Sequence, residues 1–228
     1  MKKNSVILTA SVATLVVGIG GYMLYDYFVG NHVEIRPAAA VAVASSTASS
    51  TPLTADQLNK KWTINDQSKV YFSVTTSKET VNFEMDGITG SWDVNLSAPD
   101  QMKATASADL NKLNSGNEKR DTHIKSPDYF DTAVHPAATF EAKSFENWPS
   151  TWTEGQKASF TIDGVLTVRG IVKDVKIDAD AIYSQGKLQL EGTSVVTFGD
   201  FGLTSPHTIV AKTEENINIT LRLALDAV

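Results

Sequence analysis

The side chains in this 228-residue sequence whose types and spacing could support chemistry are concentrated between Asn117 and His135. Arg120, Asp121 and His123 offer a planar cation, a carboxylate and an imidazole within one short stretch. Such a set can grip a phosphate or quinone head group through charge-assisted hydrogen bonds. It has a plainer use as local architecture, with Asp121 bonding the loop and Arg120 tying it to the body of the fold. His123, Asp128, Asp131 and His135 match no zinc-ligand spacing in a chain with four histidines and no cysteine, so no metal site is expected. There is no GxSxG, HExxH, P-loop or GxGxxG, and Glu214-Glu215 reads as a solvated turn before a strand. Recognition without catalysis or cofactor is therefore the expected chemistry. The balance of 20 Lys+Arg against 26 Asp+Glu has the wrong sign for a nucleic-acid partner. Without cysteine, disulfides, a thiol nucleophile and attachment through a lipidated cysteine are all excluded.

The elements that must position these residues are strands. Ile217, Ile219, Leu221, Leu223 and Leu225 alternate with polar or small neighbours, and the same period of two runs through Trp92–Leu96, Lys103–Leu110, Phe160–Val168 and Val175–Ala179. Shorter strands are expected over Lys69–Thr75, Val81–Met85, Ala138–Phe145 and Lys187–Gly192, with turns at Asp86-Gly87, Asp163-Gly164, Arg169-Gly170 and Gln185-Gly186. About eight strands with one apolar face each describe an all-β antiparallel barrel or sandwich, and the period alone does not choose between them. Ala104, Ala106 and Ala108 share one inward face, which leaves room in the middle unless large side chains from the facing wall fill it. One short helix is expected to start at Pro127, with Ser126 as N-cap and Asp128 at the positive end of the dipole.

Ahead of this domain, Asn4–Tyr25 carries no charge and as a helix would span about 33 Å, enough to cross a bilayer. Lys2 and Lys3 precede it, which predicts a cytoplasmic N-terminus and an exported body. The large residues Tyr25, Tyr27 and Phe28 that follow favour an uncleaved anchor over 1–30, and cleavage to a soluble exported form is the alternative. Residues 31–57 are expected to be a linker, whose Pro37–Pro52 stretch is rich in Ala and Ser, and 58–228 the folded domain.

Three blocks within that domain resemble the YceI-like family. The run Arg120-Asp121-Thr122-His123-Ile124-Lys125-Ser126-Pro127-Asp128-Tyr129-Phe130-Asp131, with His135-Pro136 and Thr139-Phe140, is similar to its RDxHLxSxDFFD…P..TF signature. Gly164–Val175 resembles its GDLTIRGVTKPV block, and Phe198-Gly199-Asp200-Phe201-Gly202-Leu203 its RxDFG element, with Val165 and Phe198 departing from the family's usual Asp and Arg. Trp62–Ile64 and Val70–Val74 resemble its opening strands. The resemblance implies an eight-stranded lipocalin-like barrel in the periplasm whose tunnel holds an amphiphile such as an isoprenoid-type lipid or quinone. Together with the anchor expected over 1–30, this predicts a single-pass inner-membrane protein with the barrel on the periplasmic side, or a soluble periplasmic one after cleavage.

The expected tunnel lining is the inward set Phe72, Phe83, Trp92, Val94, Ala104, Ala106, Ala108, Phe140, Phe160, Ile162, Leu166, Val196, Phe198, Ile219, Leu221 and Leu223, with Arg120, Asp121 and His123 as head-group candidates at the mouth. Each buried methylene would contribute about 0.8 kcal/mol to holding a lipid tail. The alternative is a stress-response or structural barrel whose ligand is incidental or absent.

Overall fold

The period-two runs become eleven strand segments in a computed structural model that describes residues 22–23, 26, 30–35, 52–206 and 212–228. They are β1 (Lys61–Ile64), β2 (Lys69–Thr76), β3 (Thr80–Met85), β4 (Ile88–Asp93), β5 (Lys103–Asp109), β6 (Leu113–Asn114), β7 (Ala137–Glu146), β8 (Lys157–Val168), β9 (Ile171–Ser184), β10 (Lys187–Thr197) and β11 (Thr213–Ala227). Two short helices accompany them, α1 (Ala55–Leu58) and α2 (Glu118–Lys125).

Eleven segments make eight staves. β1 and β2 lie end to end along β11, which pairs with β1 at Leu225–Ala227 and with β2 over Thr213–Arg222. β3 and β4 likewise form one stave against β2 and β1, and β6 and β5 form the next against β3 and β4. The remaining staves are β7 to β11, each antiparallel to the one before, and the β1–β11 pairing closes the ring. This is an up-and-down barrel, in which every stave pairs with a neighbour on both sides over part of its length.

Each interruption has a local cause. Gly87, at φ +71, lets the chain bend between β3 and β4. Asp109 caps a one-turn 3₁₀ segment, Leu110–Lys112, that separates β5 from β6. Where β1 gives way to β2, the buried Ser68 hydroxyl donates to the Ala224 carbonyl (3.1 Å) and accepts from the Ala224 amide (3.0 Å). It thereby stands in for the missing ladder bonds.

The hairpin turns at Arg169-Gly170 and Gln185-Gly186 form as expected, both residues of each at positive φ, the type I′ pattern that matches strand twist. Two local expectations are corrected. Asp163-Gly164 is no turn; it lies inside β8, where Gly164 faces the Phe140 ring so closely that a Cβ would sit 2.4 Å from it. The helix ends where it was expected to begin. Asn117 is its N-cap, accepting from the Arg120 amide, and Ser126 is its C-cap. Pro127 forces the residue before it into an extended conformation, and Ser126 has ψ 167, so Pro127 stops α2 instead of opening a helix.

The barrel has two unlike ends. One holds the β2–β3 hairpin, α2, the Arg169-Gly170 turn and a 3₁₀ turn at Gly199–Phe201. The other is closed by a cluster of Trp92, Phe145, Trp148, Trp152 and Phe160, with neighbouring ring centroids 4.9–6.4 Å apart. α1 covers that end, with Leu58 buried and its carbonyl accepting from the Trp62 indole at 3.0 Å.

At the first end the β9–β10 ladder stops at the pair Asp178–Thr193, so β9 from Ile171 to Ile177 is paired only with β8. The 3₁₀ turn closes this seam with an ion pair from Lys173 to Asp200 (2.6 Å), and the Ser194 hydroxyl donates to the Lys176 carbonyl (2.8 Å). The anchor expected over 1–30 and the linker over 31–57 fall largely outside the described residues. Among the described residues no helix is long and apolar enough to cross a membrane.

Candidate functional site

Inside the barrel, between the mouth and the aromatic plug, lies a cavity of about 270 Å³ whose wall is almost wholly apolar. Its existence follows from side-chain size. Ala104, Ala106 and Ala108 line one wall, and no large side chains from opposite fill the space they leave. Ile217, Ile219, Leu221 and Leu223 point inward yet stay half-buried, since they face the cavity and not another side chain.

Of the expected lining, Phe72, Phe83, Trp92, Ala104, Ala106, Ala108, Phe140, Ile162, Leu166, Val196, Phe198, Ile219, Leu221 and Leu223 stand on the cavity wall. Phe160 and Val94 do not. Phe160 is packed within the plug, 4.9 Å from Trp148, and Val94 lies beyond the end of β4, buried with its amide bonded to the Lys60 carbonyl. The wall also takes Val70, Val74, Val81 and Met85, which share the parity of Phe72 and Phe83 and could have been found by extending it. Tyr129, Phe130 and Leu203, on loops, carry no such signal.

At the mouth, Arg120 and His123 reach the wall and Asp121 does not. Asp121 accepts from the Ser115 amide (2.9 Å) and hydroxyl (2.5 Å), and Ser115 in turn accepts from Arg120 Nε (2.9 Å). Arg120 is 5% exposed; its Nη2 donates to the Ser115 carbonyl (3.0 Å) and its Nη1 to the Gly30 carbonyl (2.8 Å). The guanidinium carbon lies 5.8 Å from the centre of the Phe83 ring, which stacks on Phe72 at 4.4 Å. Phe130 closes on Phe72 edge-on at 5.8 Å, and His123 meets Tyr129 at 4.9 Å. A buried cation thus sits where the apolar wall ends, held by backbone carbonyls and poised over an aromatic face.

Also at the mouth end, Asp200 holds the turn that carries Phe198 and Phe201. Its carboxylate accepts from Lys173 and from the Thr197 amide (2.8 Å), and these bonds keep it below the usual carboxylate range. Among the described residues no group of three His, Asp or Glu is placed to hold a metal ion. The arrangement can enclose a hydrocarbon chain and present a cation and an imidazole to whatever polar group ends it.

Known proteins resemble this chain in sequence and in fold. A UPF0312 protein of Azotobacter vinelandii is 31% identical over 121 residues, covering 50% of this chain and 59% of that one. A UPF0312 protein of Pseudomonas aeruginosa is 29% identical over 121 residues with the same coverage. The chain thus spans well under two thirds of the length of these relatives. Among solved structures, Burkholderia cenocepacia BcnA superposes with a TM-score of 0.60 at 17% identity, over 69% of this chain and 96% of that one. A polyisoprenoid binding domain from Saccharophagus degradans superposes with a TM-score of 0.58 at 13% identity, over 75% of this chain and 99% of that one. At these identities the likeness is one of fold. Residues 62–225, from the first strand to the last, match the YceI-like domain, and the chain belongs to that family.

Proposed function

We propose that this protein binds an isoprenoid-type lipid or isoprenoid quinone in its tunnel, and sequesters or carries it without altering it. The observation that carries the reading is the closed barrel's apolar cavity, plugged by aromatics at one end and rimmed by Arg120 and His123 at the other. A chain of methylenes in such a wall gains about 0.8 kcal/mol per carbon, and the binding needs no reacting group. The polyisoprenoid binding domain of Saccharophagus degradans, which shares the fold, supports the ligand class. The uncharged stretch Asn4–Tyr25, preceded by Lys2 and Lys3, supports a single-pass anchor in the inner membrane with the barrel on the periplasmic side.

Native mass spectrometry of full-length protein purified from its own host tests the ligand. A stoichiometric lipid, recovered chemically unchanged, is the expected result. A persistently empty barrel that also fails to take up polyprenols or quinones would overturn the reading. Retention in membranes after a carbonate wash tests the anchor, and release of a product starting near residue 30 or 45 of the sequence would show cleavage.

A further inference from the structure

We propose that the mouth end of the barrel docks on a lipid bilayer, so that the tunnel opens against the membrane and the plug faces away from it. This deepens the lipid-binding reading and rests on it for its purpose, though not for its geometry. Two independent observations carry it.

The first is the distribution of exposed aliphatics. Among residues 52–228 as described, the exposed large hydrophobics are Val134 (65%), Ile171 (39%), Val172 (63%), Val195 (59%) and the terminal Val228. All but Val228 lie at the mouth end. Val134 and His135 belong to the loop that meets the Arg169-Gly170 turn, where a Cβ on Gly170 would lie 3.4 Å from the His135 ring. Ile171 continues from that turn and reaches 3.2 Å from where a Gly202 Cβ would sit, and Val172 and Val195 flank the seam between β9 and β10. Four such side chains offer roughly 300 Å² of apolar area at the burial values usual for valine and isoleucine. That is small beside the ~800 Å² per partner of a stable protein interface, and suits shallow insertion by a body already held at the membrane.

The second is the course of the N-terminal segment. Asn31 accepts from the Asn82 amide (3.0 Å), the Val33 carbonyl accepts from Asn82 Nδ2 (2.8 Å), and the Gly30 carbonyl takes Arg120. Asp26 accepts from Asn117 Nδ2 at 3.1 Å. These contacts fix Asp26, Gly30, Asn31 and Val33 to the mouth side of the barrel, and in sequence Asp26 directly follows the uncharged Asn4–Tyr25. Further along, Leu53 lies at the opposite end of the barrel, where its amide donates to the Trp152 carbonyl (2.7 Å). An anchor attached through Asp26 and Gly30 therefore leaves from the mouth, whereas one attached only through Leu53 would leave from the plug.

The absence of cysteine makes the test direct. Val134→Cys, Val172→Cys and, at the plugged end, Ser97→Cys are introduced singly into the full-length chain and labelled with a fluorophore. Each is reconstituted in vesicles of phosphatidylethanolamine and phosphatidylglycerol containing nitroxide lipid. Severalfold stronger quenching at Val134 and Val172 than at Ser97 is expected. Equal quenching at all three positions would overturn the proposal. So would rim labels that are shielded only in native membranes and never quenched by lipid, which would assign the rim to a protein partner. Tunnel contents are measured on the same samples, so quenched rim labels around an empty barrel would support docking while rejecting the ligand. In a second arm, Val134→Asp combined with Val172→Asp is expected to slow lipid uptake from the vesicles severalfold without changing the final loading. Unchanged uptake by a folded variant would argue against docking.

Discussion

Trp92 is the floor of the tunnel, and replacing it should lengthen the ligand that fits. Its side chain is 3% exposed, stacks on Phe145 at 5.7 Å, and meets Trp148 at 5.9 Å and Phe160 at 5.7 Å. Its indole N–H has no acceptor among the described residues. Trp92→Ala removes about 200 Å² of apolar contact, or ~5 kcal/mol at ~25 cal/mol per Å², near the upper end of the ~3–5 kcal/mol usual for Trp→Ala. A domain of ordinary stability, ~5–15 kcal/mol, is weakened but keeps its fold across most of that range. The space opened lies in line with the tail. One further five-carbon isoprene unit would recover about 4 kcal/mol there, less the cost of ordering it, which leaves on the order of tenfold to a hundredfold preference for the longer tail. Competition among polyprenols of increasing length, read by native mass spectrometry, measures this directly. Trp92→Phe is the control: it keeps the stack, removes the unpaired N–H, and should leave the length preference where it was. If Trp92→Ala still melts cooperatively and selects the same lengths as the parent, the plug does not set tail length and the reasoning fails.

Ala106→Leu points into the same cavity between Gly90 and Phe140; it should raise thermal stability through about 2 kcal/mol of added burial and sharply lower lipid uptake in the same mass-spectrometric assay. Gly164→Ala drives a methyl against Phe140 and the Glu141 carbonyl, and urea unfolding should show a loss of about 1–3 kcal/mol. Asp200→Asn breaks the Lys173 pair, whose partly exposed geometry makes it worth about 0.5 kcal/mol. Because folding lowers the Asp200 pKa from 3.8, its stabilisation is present above about that pH and lost as pH falls through the folded value. Thermal melts of parent and Asp200→Asn should therefore differ at neutral pH and converge in acid, and a gap that persists well below pH 3.8 would contradict the assignment.

Side-chain parity was readable from the sequence, and depth along the barrel was not. Alternation placed Ile219, Leu221 and Leu223 on the inward face, where they line the cavity. Phe160 has the same inward parity, but it falls within reach of Trp148 and Trp152, which come from a connection that no local pattern ties to it. The misplaced helix came from two competing signals. Ser126-Pro127-Asp128 has the composition of a helix start, but the restriction that proline places on the residue before it fits equally well with a helix end, and Asn117 supplied the cap. The Arg120 contact with Gly30 spans 90 positions, so nothing local in the sequence announces it.

The one-sided ladder of β9 makes the barrel mechanically uneven. From Lys187 to Thr193, β10 is stitched on both flanks. Above Asp178 the β9–β10 ladder is cut, and the load across the cut passes through the Lys173–Asp200 pair and the Ser194–Lys176 bond. Amides along Ile171–Ile177 that would point across the cut should exchange with solvent ahead of those near the floor. Between β9 and β10, then, the wall is firm toward the plug and yielding toward the mouth. That seam lets the girth at the mouth change while the lower span of the same two strands keeps its spacing.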